Sequence, residues 1–263
     1  MILDMANNKK SQGNTLVIVL AVVAVLVVVY ILASKFILPS VINKAVNTAI
    51  DSSVNSLNFD SAQSFQVNQD LSKNEGMFLQ MGINKGKISI DGKNQGDIIT
   101  GEIKYLGAKP TFDYQTDKDK AAVFNVKSAD QSGDNVLLHL SQKTNGRIDI
   151  GLGAGLIDID LTDLDIPVLN IGAGAGVVNV VFSKNASTTA SVGAGAGKLN
   201  ISVYKGTGIK LIFAQGISNA NFGDAYEKVN DNTYQTKNYN DAKVKVELNI
   251  GQAVGGFNIQ EIE

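Results

Sequence analysis

The sequence predicts an all-β solenoid preceded by an N-terminal transmembrane helix and a short juxtamembrane helix. Three observations carry that expectation: a glycine pattern repeated five times, a shift in the apolar alternation inside each copy, and a charge-free apolar run near the N-terminus. The repeat reads Gly, three residues, Gly, one residue, apolar, polar, Ile or Val. Its glycine pairs are Gly82 and Gly86, Gly151 and Gly155, Gly172 and Gly176, Gly193 and Gly197, and Gly251 and Gly255. The three central copies start 21 residues apart, at Gly151, Gly172 and Gly193. A fixed period of this length marks a repeat architecture.

Composition narrows the chemistry first. The chain has 263 residues with 26 Gly, 3 Pro, 1 His and no Cys or Trp. Without Cys there are no disulfides, thiolate metal sites or cysteine nucleophiles, and one His rules out a polyhistidine metal cage. A formal net charge of −2, from 23 basic and 25 acidic residues, offers no electrostatic footprint for nucleic acid. No serine elbow, zincin motif or paired catalytic carboxylates can be assembled, so the expectation is a non-enzyme without cofactor or metal.

Residues 1–14 form an N-terminal tail, and residues 15–38 a membrane-spanning helix. No charge occurs between Lys10 and Lys35, and Leu16 to Ala33 reads LVIVLAVVAVLVVVYILA, close to the ~20 apolar residues that cross the hydrocarbon layer. A cleaved signal peptide would have a shorter apolar core and a small-residue cleavage site, whereas Ala33-Ser34 is a poor one. The flanking pairs Lys9, Lys10 and Lys35, Lys44 balance, so charge does not orient the span. A short N-terminus ahead of a lone anchor stays inside, which places the C-terminal domain outside the cytoplasm. The expected location is therefore the cell membrane, single-pass, with the bilayer as partner through residues 15–38. A pilin leader is the alternative to an ordinary anchor, but Ile18 stands where such a helix carries an acid.

Residues 39–57 read as a juxtamembrane helix. Ile42, Val46, Ala49, Ile50, Val54 and Leu57 recur at three- and four-residue steps and form one narrow stripe. The other faces are Ser, Asn and Thr rather than the charged pairs of a coiled coil. Two readings stand: a stalk helix lying on the membrane or its own domain, and a seam through 41–57 for self-association or a membrane signalling protein. Residues 58–77 are a linker and first strand, and 78–263 the solenoid domain.

Within each copy the apolar set changes phase. Ile150, Leu152 and Ala154 share one face, but after Gly155 the set is Ile157, Ile159 and Leu161. Two alternating strands must meet there at a bulge or corner, where glycine allows positive φ or close approach and leaves a shallow outer face. Stacked copies would put Ile88, Ile157, Val178, Leu199 and Phe257 on one inward site and Ser89, Asp158, Asn179, Asn200 and Asn258 outward beside them. Lys198 falls on an outward position. The wider gaps, from Gly82 to Gly151 and Gly193 to Gly251, would hold about three coils each. Ile98 to Tyr105, Thr111 to Tyr114, Ala121 to Val126 and Val136 to Leu140 read as short strands.

Other motifs yield structural readings. A dinucleotide loop needs a helix after the glycines, and here each GAGAG runs into another strand. Asp158, Asp160, Asp163 and Asp165 lack a calcium-binding nonapeptide and read as a solvated rim. His139, with no second imidazole, reads as an outward or satisfied structural residue. The segment Phe222 to Tyr239, with Phe222, Tyr226, Tyr234 and Tyr239 among Asn, Asp and Lys, has no alternation. It is either a cap folded over the solenoid end or a partner-binding loop with tyrosine anchors.

GKISIDG with the following DIITGEIKY and PTFDY, the segment IDIGLGAGLIDIDLTDLDIPVLNIGAGAGVVNV, and the stretch Tyr234 to Tyr239 leading through Asp241-Ala242-Lys243 into the last glycine motif carry a family likeness. Through them residues 78–263 resemble the toast-rack domains of LiaF-like proteins of the bacterial cell-wall antibiotic response. The resemblance implies a β-solenoid appended to membrane segments and acting without catalysis in envelope-stress sensing or signalling, as a scaffold or regulator. A self-associating structural protein of the envelope is the alternative. The chain departs from LiaF-like proteins in having one predicted span rather than several, and no Trp before the central repeats.

Overall fold

The computed structural model describes residues 57–71, 76–94, 96, 98–116, 121–143, 145–214 and 225–263, with side chains 98 and 252–255 left aside. The predicted span 15–38, the juxtamembrane helix up to residue 56, and Phe222 lie outside the described residues. Among those described, no helix is long and apolar enough to cross a membrane.

Among the described residues the regular elements are strands, joined in one mixed sheet. The five glycine motifs occupy β2 (Gly76–Asn94), β7 (Asn145–Asp160), β8 (Asp165–Val181), β9 (Thr188–Tyr204) and β13 (Lys245–Ile262). These lie side by side in that order, all parallel. The register aligns every motif: Gly82, Gly151, Gly172, Gly193 and Gly251 form one row, and Gly86, Gly155, Gly176, Gly197 and Gly255 another.

Chain length then fixes the coil. Strand β7 has 16 residues, about 50 Å if straight, at about 3.3 Å per residue. Only residues 161–164 separate it from the start of the parallel neighbour β8, and so short a link spans at most about 18 Å. Each long strand must therefore double back on itself, giving a two-armed coil that closes after 21 residues and stacks on the next.

The bend is made without breaking the strand. Burial alternates through Ile148, Ile150 and Leu152, then resumes on Gly155, Ile157 and Ile159. Pairing skips one position per strand, at Asn84, Gly153, Gly174 and Gly195. The phase shift expected from the sequence is thus real, but it lies inside a continuous strand rather than between two. Gly155 has φ +148°, and a Cβ there would lie 1.8 Å from the Gly86 carbonyl oxygen. The equivalent glycines repeat this contact from coil to coil, so a side chain is barred twice, by conformation and by the backbone of the strand below.

The expected rows are found. Ile88, Ile157 and Val178 are fully buried and Leu199 nearly so, with Phe257 partly buried at the end of the row. The link between coils is buried as well, through Leu161, Leu164 and Ile166. Lys198 is exposed.

The wide gaps differ from expectation, since neither holds three coils. The first contains one coil made of β5 (Ala121–Lys127) and β6 (Asp134–Ser141), which pair parallel with the two arms of β2. Its corner is a loop rather than a glycine motif: Asp134 takes the register position opposite Gly86. The remainder forms antiparallel strands that close the sheet, β4 (Thr111–Thr116) on β5, and β3 (Ile98–Tyr105) on β6. Strand β1 (Gln63–Asp70), from the predicted linker, pairs antiparallel with β3 at the end of the sheet. The second gap contributes a half coil, β10 (Gly208–Phe213), and the hairpin of β11 (Tyr226–Asn230) and β12 (Thr233–Thr236). The C-terminal strand β13 inserts between β9 and β10. Segments without the corner glycines either turn through a loop, as between β5 and β6, or end and pair antiparallel, as β4 does with β5 and β11 with β12.

Candidate functional site

Outward residues in equivalent positions of successive coils stand about 4.8 Å apart, so their side chains form straight rows. One row on the first arm contains Gln80, Asp149, Asn170, Ser191 and Asn249. Asn170 Nδ2 donates to Asp149 Oδ1 at 2.7 Å. Arg147 grips the same carboxylate through Nε at 2.9 Å and a terminal nitrogen at 2.7 Å, while its guanidinium lies 5.2 Å from the Phe78 ring centroid. Burial acts to raise the Asp149 pKa, but the bonds from Arg147 and Asn170 outweigh it and hold the carboxyl below its usual range.

Beside this row the wall is dented. Gly151, Gly172, Gly193 and Gly251 face outward, and a Cβ on Gly172 or Gly251 would meet nothing within 4 Å. Their missing side chains leave an open groove of about 870 Å3 that crosses the strands and ends against Phe213 and Ala214. A second hollow of about 590 Å3 is lined by Gly82 and Gly151, and by Lys127 and Ser128. The row on the second arm is a hydrogen-bonded ladder: Asn179 donates to Asp158 at 2.6 Å, and Asn200 to Asn179 at 2.7 Å. Lys87 pairs with Asp158 at 3.4 Å.

The repeat glycines therefore fall into two groups. Gly86, Gly155, Gly176 and Gly197 make the corner, and Gly255 shares their row. Gly82, Gly151, Gly172, Gly193 and Gly251 make the floor of the hollows. The floor was legible only as a shallow outer face; what sequence alone does not show is that the Asp149 row lies along it, because that depends on register between coils.

The acidic residues do not converge. Asp160 binds the Thr162 backbone N–H at 3.0 Å and its hydroxyl at 2.5 Å. Asp163 pairs with Lys184 at 2.7 Å, and Asp165 accepts from Asn145 at 2.8 Å. Among the described residues no group of three or more potential ligands is arranged for a metal ion. His139 lies opposite Asp91 in the ladder, its Nδ1 2.6 Å from Asp91 Oδ1. Lys93 sits 2.5 Å from the other Asp91 oxygen. Burial pushes the Asp91 carboxyl up, but Lys93 and then His139 bring it below the usual value. Asp134, buried at the loop corner, is pushed up by burial although the Ser128 hydroxyl donates to it.

At the C-terminal end, Tyr234 packs edge-on against Phe213 at 6.1 Å between ring centroids, and Phe213 against Phe257 at 5.9 Å. Tyr226 also packs on the core, and burial, then Glu261, push its phenol up to about 12. Tyr239 lies in the turn before β13, with Lys245 5.4 Å from its ring centroid. Tyr226 and Tyr234 thus sit on the hairpin that covers the end of the first arm, and Tyr239 stands apart from them.

Comparison with known proteins agrees with this architecture. Residues 56–202 match the family described as the N-terminal domain of toast_rack. A crystal structure of a candidate cell adhesion protein from Clostridium sporogenes superposes with a TM-score of 0.65 at 21% identity, covering 76% of this chain and 100% of that one. A candidate adhesin from Bacteroides fragilis gives a TM-score of 0.26 at 12% identity over 75% of this chain and 97% of that one, too distant in shape to carry an argument. None of the curated proteins matches the chain. With the matched segment covering more than half of its length, the chain belongs to the toast-rack family.

Proposed function

We propose that this is a membrane-anchored, non-catalytic cell-envelope protein whose solenoid serves as a scaffold or regulator in envelope-stress sensing. In this reading residues 15–38 hold it in the bilayer as a single span and the β domain stands outside the cytoplasm. The observation that carries it is the groove floored by Gly151, Gly172, Gly193 and Gly251 and bordered by the row Asp149, Asn170, Ser191 and Asn249. It is a long, shallow surface that repeats one set of hydrogen-bonding groups, suited to holding an extended partner rather than to enclosing a reacting atom. Family membership and the shared fold with a candidate adhesion protein support a binding role.

The test is recovery of the tagged full chain from native membranes with and without cell-wall stress, beside the Gly172→Leu variant. That side chain enters open space, so it fills the groove without loading the corner. The reading expects a membrane signalling protein that co-purifies under stress and is lost from the variant at an unchanged melting midpoint. A stress-independent set of proteins, identical for both chains, contradicts it.

A further inference from the structure

The end strands of the sheet are treated unequally. Strand β11 carries Glu227 and Lys228, and its pairing with β12 shifts register between Lys228 and Asn230. Strand β4 carries Asp113 and has six residues. Charge, irregularity and shortness are the devices by which edges avoid pairing with other chains. Strand β1 has little of this: it is eight residues long, has no Pro, carries its one charge at its last residue, Asp70, and shows no break in its pairing with β3. Among the described residues β1 ends the sheet, with no strand on its outer side.

We infer that β1 is a dimerisation edge, pairing antiparallel with β1 of a second copy so that one sheet continues through both. An antiparallel pair of identical strands has a two-fold axis, so the contact closes at two copies instead of growing into a fibre. Alternation restricts the register. Phe65 and Val67 face the core side, whereas Ser64, Gln66 and Asn68 are exposed. For the core sides to remain on one face, directly opposed residues must both be odd or both even in number. Centred registers that meet this place Gln66 opposite Gln66 of the second copy, or Val67 opposite Val67. In both, Gln, Asn, Ser, Phe and Val meet with no like charges opposed. The N-terminal segment is compatible: the two Gln63 positions would be about 20 Å apart along the strands in the first register and about 27 Å in the second. Residues 39–62 are long enough to carry both chains into one bilayer about an axis normal to it. That last point rests on the membrane reading, while the strand pairing does not.

The absence of Cys makes a clean test possible on the full chain in detergent. Gln66→Cys alone is oxidised for the first register, and Gln66→Cys co-expressed with Asn68→Cys for the second, with Glu227→Cys on β11 as control. A disulfide-linked dimer from one of the first two and none from Glu227→Cys is expected. Gln66→Lys combined with Asn68→Lys opposes like charges in both registers on the exposed side. It should halve the particle mass while the melt stays cooperative, with the midpoint lowered only by the stabilisation that association supplies. No crosslink in either arrangement overturns the inference, whether the chain is then a monomer or a dimer held elsewhere, such as through 41–57. Crosslinking equal to the control, or a mass unaffected by the lysines, overturns it too. The pull-down above reads partner capture separately, so either reading can fail alone.

Discussion

The carbonyl oxygen of Gly86 lies 1.8 Å from the point where a Cβ on Gly155 would sit. The same relation recurs between Gly155 and Gly176, and between Gly176 and Gly197, so the bend of each coil is seated on the backbone of its neighbour. Gly155→Ala should destabilise the domain by about 1–3 kcal/mol through strain in φ alone, with the backbone clash adding to it. Gly172→Ala, into open space, should leave the midpoint within experimental error. Thermal melts of the two variants side by side check this; equal midpoints would remove the corner role.

The Asp91 carboxyl is held below its usual range when folded, so its bonds to Lys93 and His139 stabilise the protein above the unfolded carboxylate pKa of about 3.9. That contribution fades as pH falls through the lower folded value. Asp91→Asn should therefore cost stability at neutral pH, with the difference from wild type shrinking in acid.

Asp134 behaves in the opposite sense. Its folded pKa is raised, so the folded state holds the proton better, and stability declines as pH rises from the unfolded value through the folded one. Asp134→Asn keeps an oxygen for the Ser128 hydroxyl and removes the buried charge. It should raise the midpoint at neutral pH and lose that advantage in acid, as denaturant titrations across pH would show.

Replacing Tyr226 and Tyr234 together by Ala should cost about 2 kcal/mol or more, since both rings pack on the core and Tyr234 on Phe213. A hairpin serving as a partner-binding loop predicts the contrary pair of results, an unchanged midpoint and a lost partner.

What was legible in the sequence is what local pattern determines. The 21-residue spacing, the phase change at Gly155 and the inward row from Ile88 to Phe257 follow from alternation and from glycine's lack of Cβ, and the structure carries all three. The coil count between Gly82 and Gly151 was not legible, because β3 and β4 alternate like solenoid arms yet turn back as antiparallel partners. Their direction is a matter of the distant strands they meet, β6 and β5, and not of their own pattern. The insertion of β13 between β9 and β10 is similarly non-local. Of the candidate site, the glycines could be read but not the alignment of Asp149, Asn170, Ser191 and Asn249, which is a property of the stack.

The stack itself is tested most directly by a disulfide between coils. Asn200 donates to Asn179 at 2.7 Å, 21 residues earlier, so Asn179→Cys with Asn200→Cys places two thiols directly opposite on parallel neighbours. Asn179→Cys with Lys198→Cys keeps both outward but two residues out of step. Oxidation of the first pair to an intrachain bond in the folded monomer, with the second pair remaining reduced, is the predicted result. Equal oxidation of both pairs, or none in the first, would contradict coils that close every 21 residues.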